Sequence, residues 1–231
     1  MDYFTDSLLA ALRLIGSFDA ATWRIVGTSL YIALISTLLA ALAGIPLGVT
    51  AALGDFPGRR ALRQLLHTLM AMPTVMIGLI FYGLLSRRGP LGELGLLYTR
   101  QAVILGETTL ILPIVMNLAW QAVEDADPAL ATTLKTLGAN FRQTASYLAR
   151  EVRRALLAAA VMGFGRAIGE IGAAMMLGGN IAGLTRTMTT AIALETGKGE
   201  FEQGLALGLA LLGVAGAVNA FLFRLRPERA P

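Results

Sequence analysis

Apolar side chains run along this chain in long, nearly unbroken stretches separated by short polar breaks. The stretches cover about residues 25–53, 65–85, 102–123, 155–177 and 204–223. Each is near or above the roughly 20 apolar residues with which an α-helix crosses the hydrocarbon core of a bilayer. The pattern predicts five spanning helices. Residues 3–18 read differently: apolar and polar positions alternate at helical spacing, which predicts a helix lying along the interface. The breaks carry turn chemistry, as in GDFPGRRALRQ, where Asp55, Pro57 and Gly58 sit together. Pro46, Pro73 and Pro113 fall within predicted spans, where each removes a backbone hydrogen bond and predicts a kink.

One break, about residues 124–150, is long and polar enough to hold structure of its own. Asp127-Pro128 is a good helix start, an acidic cap followed by proline in the first turn. Leu130, Leu134, Leu137 and Phe141 then form one apolar stripe, with Thr132, Thr133, Lys135 and Thr136 on other faces. Gly138 can end that helix, and Asn140 with Gln143 three residues later can cap a second. Two short helices joined at a glycine follow. Such a segment either lies on lipid headgroups or serves as a docking element for another protein.

Composition agrees with the pattern. The chain has 231 residues, 55% hydrophobic, a mean hydropathy of +0.66 and 15% charged residues, against about 25% charged in a soluble domain. It is an all-α membrane protein, read as one transmembrane domain over residues 1–231. The absence of cysteine excludes disulfides and thiolate chemistry, and one histidine, His67, argues against a zinc or haem site. The start, MDYFTDSLLAALRL, is acidic ahead of its apolar residues, unlike a cleaved signal peptide. The net charge of +4 comes from basic residues flanking apolar segments, so it reports membrane orientation rather than nucleic-acid binding. With the C-terminus inside, eleven Lys/Arg fall on the cytoplasmic side and seven outside, Arg166 in the membrane completing the nineteen. That balance favours an N-terminus outside and a C-terminus inside. Gly197-Lys198 lacks the upstream glycine of a phosphate loop, and no Ser/His/Asp set exists. No hydrolytic chemistry is encoded.

Three stretches carry a family resemblance. TTLKTLGANFRQTASYL resembles the coupling loop of membrane subunits of ABC importers, whose common form is Glu-Ala-Ala, three residues, then glycine. Gly138 matches that glycine, while Thr132, Thr133 and Leu134 stand in the first three positions and Arg150-Glu151 replaces the usual Leu-Pro. GFGRAIGEIGAAMMLGGNIAGLTRTMTTAIALETGKGEF, residues 163–201, closely resembles the membrane subunit of tungstate ABC importers. MPTVMIGL, residues 72–79, is similar to the proline-containing second span of molybdate, tungstate and sulfate permeases. The resemblance covers roughly residues 25–225. It implies an ABC importer permease bundle working as a homodimer, with two cytoplasmic ATPase subunits and an extracytoplasmic binding protein that delivers the oxyanion. ATP and magnesium would sit in the ATPase subunits, with no cofactor on this chain. Thr132, Thr133, Leu134, Lys135, Gly138 and Ala139 would form the ATPase contact.

Within that frame, Arg166 and Glu170 stand out as charges of opposite sign in an apolar run, four apart and so on one helix face. A lone charge at mid-bilayer costs at least about 2.5–3.5 kcal/mol on insertion scales, and pairing reduces the cost. Gly165 and Gly169 make a Gly-x-x-x-Gly step with Gly172 and Ala173 beyond it, a surface suited to close helix approach. The pair either pins the bundle or dimer together, or lines the anion's route, Arg166 attracting it and Glu170 keeping it from binding too tightly. Thr185, Arg186 and Thr187, with Thr189 and Thr190, offer hydroxyls and a guanidinium suited to a tetrahedral oxyanion; the other reading is an ordinary solvated loop or a short re-entrant helix. Thr74 and Glu107 are further candidates for the path. The competing functions are molybdate or sulfate import by the same kind of machine, a proton-coupled secondary transporter or channel using Arg166 and Glu170 as a relay, and a membrane enzyme. Secondary transporters commonly show internal repeats, and none is visible here.

Overall fold

The computed structural model describes residues 3–17 and 19–225; Arg226 and Arg229 of the charge count and residue 18 of the expected interfacial helix lie outside the described residues. All regular structure among the described residues is helical. The helices are α1 (Tyr3–Gly16), α2 (Ala20–Leu53), α3 (Arg59–Met70), α4 (Thr74–Leu85), α5 (Arg100–Glu124), α6 (Pro128–Thr136), α7 (Phe141–Glu151), α8 (Arg153–Ile168), α9 (Gly172–Gly178), α10 (Met188–Lys198) and α11 (Phe201–Leu225).

Three of them, α2, α5 and α11, are long and apolar enough to cross a membrane singly. α2 has 34 residues, about 51 Å of helix, well beyond a hydrocarbon core of about 30 Å. Asp19 starts it, its carboxylate accepting from the Thr22 amide and hydroxyl, each at 2.8 Å. α2 continues through Pro46 and α5 through Pro113, so neither proline breaks its helix. The expected second and fourth spans are each bent pairs: α3 meets α4 at 94° and α8 meets α9 at 63°. Pro73 stands at the first bend, where a missing N–H and a fixed φ suit the start of a new helix. α4, at 12 residues, extends only about 18 Å, short of the core thickness.

The centre of the bundle is the pair α2 and α5, which run parallel. Ser36 on α2 donates to the Ile104 carbonyl on α5 at 3.4 Å. Further along, a Cβ at Gly44 would lie 3.2 Å from Met116 N, and one at Gly48 only 2.4 Å from Met116 O. The two backbones touch where glycine removes the side chain between them. Around this seam Val26, Ala33 and Ala40 pack with Ile111 and Val115, Phe164 of α8, Met188 of α10 and Leu207 of α11. α1 packs on α11 and buries Ser7 and Ala11.

At the far end of α5 the indole of Trp120 is fully buried and donates to Glu124 Oε1 at 2.8 Å. Arg59 and Arg63 of α3 also bind the Glu124 carboxylate, and their guanidinium carbons lie 5.5 and 4.8 Å from the Trp120 ring centroid. The cluster fastens the basic helix α3 to α5 just before the polar insert. In that insert Gly138 sits at φ +80°, a left-handed conformation that only glycine adopts without strain. Asn140 and Gln143 close a capping box at the start of α7. Of the expected apolar stripe, Leu130 packs against the bundle, while Leu137 and Phe141 project outward, 78% and 52% exposed.

Candidate functional site

The break between α8 and α9 is where the polar groups collect. α8 stops at Ile168, so Glu170 stands in the unwound stretch rather than on a continuous helix, and the expected single helix face for Arg166 and Glu170 does not form. The ion pair forms nonetheless: Arg166 Nη1 lies 2.8 Å from Glu170 Oε2. Glu170 Oε1 accepts from the Ala173 amide at 3.0 Å, taking up an N–H at the start of α9 that has no partner within its own helix. The Glu170 carbonyl accepts from Thr189 Oγ1 of α10 at 2.6 Å. One residue thus ties α8, α9 and α10. Glu170 is buried, whereas 38% of the Arg166 side chain is exposed.

The predicted Gly-x-x-x-Gly surface is not where α8 packs. A Cβ at Gly165 would meet nothing within 4 Å, and one at Gly169 would meet only the Gly165 carbonyl, at 3.8 Å. Close approach occurs at neighbouring glycines instead. A Cβ at Gly163 would lie 3.0 Å from Val115, and one at Gly172 2.8 Å from Thr74 Oγ1. A Cβ at Gly78 of α4 would likewise be 3.2 Å from the Ala173 Cα. Packing of α4 on α9 brings Thr74 to Gly172, while the Arg166 side of α8, with Met162, Gly165 and Gly169, stays open within one chain.

Glu107 of α5 is buried at 2% exposure, and its Oε2 has no hydrogen-bond partner among the described residues. Arg166 and Glu170 lie within electrostatic reach of it. Arg166, Glu170, Thr74 and Glu107 therefore gather around the α8–α9 break. Thr185 and Thr187 do not join them as free hydroxyls. Thr185 Oγ1 donates to the Gly178 carbonyl at 2.5 Å and accepts from the Ile181 amide at 3.0 Å. Thr187 caps α10, exchanging bonds with Thr190 and lying 2.9 Å from Thr189 Oγ1. Their hydroxyls pin the loop. Arg186 lies apart, 3.9 Å from Glu195, its Nε buried and unpartnered among the described residues.

Thr189, read from sequence as a hydroxyl donor, is bonded within the fold, and two polar residues with structural reach, Ser29 and Arg100, were missed from sequence. Thr189 holds the Glu170 carbonyl. Ser29 accepts the Met188 amide at 2.6 Å, setting α10 against α2. Arg100 donates to the Leu184 and Gly183 carbonyls at 2.6 and 3.2 Å. A signal for Ser29 existed: Thr22, Ser29 and Ser36 recur every seven residues, one polar line along a largely apolar helix.

Comparison with known proteins agrees with this architecture. Residues 44–227 match the family described as binding-protein-dependent transport system inner membrane component. The tungstate uptake system permease protein TupB of Peptoclostridium acidaminophilum is 37% identical over 228 residues, 99% of this chain and 100% of that protein. TupB of Campylobacter jejuni is 39% identical over 226 residues, 98% of this chain and 95% of its own length. The molybdenum transport system permease protein ModB of Escherichia coli K12 is 26% identical over 222 residues, covering 90% of this chain and 96% of that one. Among solved structures, an amino acid ABC transporter crystallised with histidines superposes with a TM-score of 0.66 at 11% identity, over 96% of both chains. That likeness is one of fold.

Proposed function

The chain belongs to the family of inner membrane components of binding-protein-dependent transport systems, and on that premise we propose that it is the membrane-spanning subunit of an ATP-driven importer for tungstate. The observation that carries the reading is identity of 37% and 39% to two tungstate uptake permeases along nearly the whole chain. The working assembly is a homodimer of this chain with two ATPase subunits on the cytoplasmic side and an extracytoplasmic binding protein. ATP and magnesium belong to the ATPase subunits. The α6–α7 insert is the ATPase dock, with Thr132, Thr133, Leu134, Lys135, Gly138 and Ala139 at the contact; the Lys135 side chain lies outside the described residues. The outward projection of Leu137 and Phe141 supports this role, because apolar knobs on a polar insert gain from a protein partner. The N-terminus is outside and the C-terminus inside.

The anion passes along the face of α8 that carries Arg166 and stays uncovered in one chain, facing its counterpart in the dimer. Arg166 supplies positive potential there. Glu170 takes one side of that guanidinium, so the anion meets a half-neutralised charge and is not trapped. Thr74 and Glu107 border this path, and Thr185, Arg186 and Thr187 lie toward its outer end.

ATPase activity of the complete complex in vesicles tests the proposal. Tungstate-loaded binding protein should stimulate hydrolysis and drive uptake at lower concentration than molybdate- or sulfate-loaded protein. Stimulation without any binding protein, or uptake without ATP, overturns it.

A further inference from the structure

Cationic groups also line a cavity away from the α8–α9 break. At the start of α2, a cavity of about 220 Å³ opens between that helix and the loop before α10, lined by Arg24, Ile25, Thr28, Ala182, Gly183 and Arg186. It holds about seven waters at the roughly 30 Å³ each takes in the liquid, room for a small tetrahedral ion with part of its hydration shell. No carboxylate lines it. Asp19, the nearest acid along α2, is engaged with Thr22 as the helix cap.

Several donors around this cavity are unspent. Arg24 uses its Nε on the Ala20 carbonyl at 3.0 Å and forms no ion pair among the described residues. Arg186 has a buried Nε without a partner, a long 3.4 Å bond from Nη2 to the Asn180 carbonyl, and a 3.9 Å approach to Glu195. Glu195 is held more closely by Lys198, at 3.2 Å to both oxygens. In the loop, Arg100 takes the Gly183 and Leu184 carbonyls, while the amides of Ala182 and Gly183 make no hydrogen bond among the described residues. Gly183 sits at φ +75°, and consecutive amides beside a left-handed glycine form a concavity suited to anions. The Thr28 hydroxyl is already committed to the Arg24 carbonyl at 2.9 Å. The available donors are two guanidinium groups and two backbone amides, a set matched to a tetrahedral dianion.

We propose that the cavity between Arg24 and Arg186 is an oxyanion-binding site at the outer mouth of the path, receiving the dianion before it reaches Arg166. The assignment to the outer side and to the substrate rests on the importer reading above. The site is separate from the α8–α9 break and shares none of the residues around it. Two arginines with one partly compensating glutamate give the weak, reversible hold that an entry site requires.

Trp23, 41% exposed and next to Arg24 in sequence, is the probe for the site, while Trp120 is buried at the opposite end of α2 and α5. The test is sodium tungstate titration of the full-length chain in phosphatidylcholine nanodiscs, read by Trp23 fluorescence and by equilibrium dialysis. Saturable binding is expected, competed by sulfate but not by chloride at equal ionic strength. Arg24→Gln and Arg186→Gln should each raise the apparent Kd at least tenfold, and Arg24→Lys should restore part of the loss. Arg88→Gln, a control on a different loop, should leave it unchanged. Equal weakening by Arg88→Gln, or no change in the two site variants, overturns the proposal. So does loss of tungstate binding when phosphatidylglycerol is added to the nanodiscs, which would give the site to lipid phosphate. Thermal unfolding of each variant separates lost binding from lost fold. If the complete complex imports tungstate while these variants bind and transport as wild type does, the entry site falls and the importer reading stands. If tungstate binds here but the complex imports no oxyanion, the site stands and the importer reading falls.

Discussion

At Glu170 a carboxylate and a carbonyl serve three helices at once, so substitutions around it separate structure from transport. Thr189→Val removes the 2.6 Å bond to the Glu170 carbonyl and should cost about 1 kcal/mol in denaturant unfolding. Arg166→Gln leaves Glu170 with its Ala173 contact, so the complex should still assemble while tungstate uptake falls by at least tenfold. Loss of assembly instead would make Arg166 a purely structural residue. Asp19 provides a pH test at the same scale. Hydrogen bonds from the Thr22 amide and hydroxyl hold its carboxyl below the ordinary value of 3.8. A lowered folded-state pKa means the cap contributes fully above the unfolded value, and that contribution is lost as pH falls through the folded one. The start of α2 should therefore loosen only below about pH 4, measured by amide exchange at Thr22 and Trp23.

Among the elements, glycine does two different jobs that sequence spacing cannot tell apart. Gly48 lets α2 touch α5 at backbone distance, and a Cβ there would lie 2.4 Å from a carbonyl oxygen that cannot move aside. Gly48→Ala should destabilise the chain by about 1–3 kcal/mol, the usual cost of overpacking. Gly165 meets nothing within 4 Å, so Gly165→Ala should leave unfolding of the single chain unchanged. If that face meets a second copy, the same substitution should weaken the dimer, as light scattering would show. Gly165 and Gly169 have the spacing of a packing surface, yet spacing carries no information about which partner is present. The bend at Pro73 was legible as a kink. Its size was not, because 94° depends on where α4 packs against α9.

For the molecule as a whole, the polar insert offers the cleanest assembly test. Leu137 and Phe141 contribute little to the chain's own core, being 78% and 52% exposed. Leu137→Ser with Phe141→Ser should leave folding intact and reduce capture of the ATPase subunit at least tenfold in a pull-down from the purified components. Gly138→Pro should do the same by forbidding φ +80°. Retention of the ATPase subunit by both variants would move the dock elsewhere.

The order of apolar stretches, a helix at the start of the chain, the paired helices of the insert with their Asn140–Gln143 cap, and the charge pair in the fourth stretch all follow from the sequence by itself. Each depends on neighbours within a few turns, and apolar length, capping and four-residue spacing are local properties. Only the tertiary structure decided that the fourth stretch breaks at Gly169, that Glu170 answers to Thr189 nineteen residues on, and that Arg24 and Arg186 share a cavity. Those contacts join segments far apart in the chain. Their geometry is set by how closely whole helices approach, which no local pattern records.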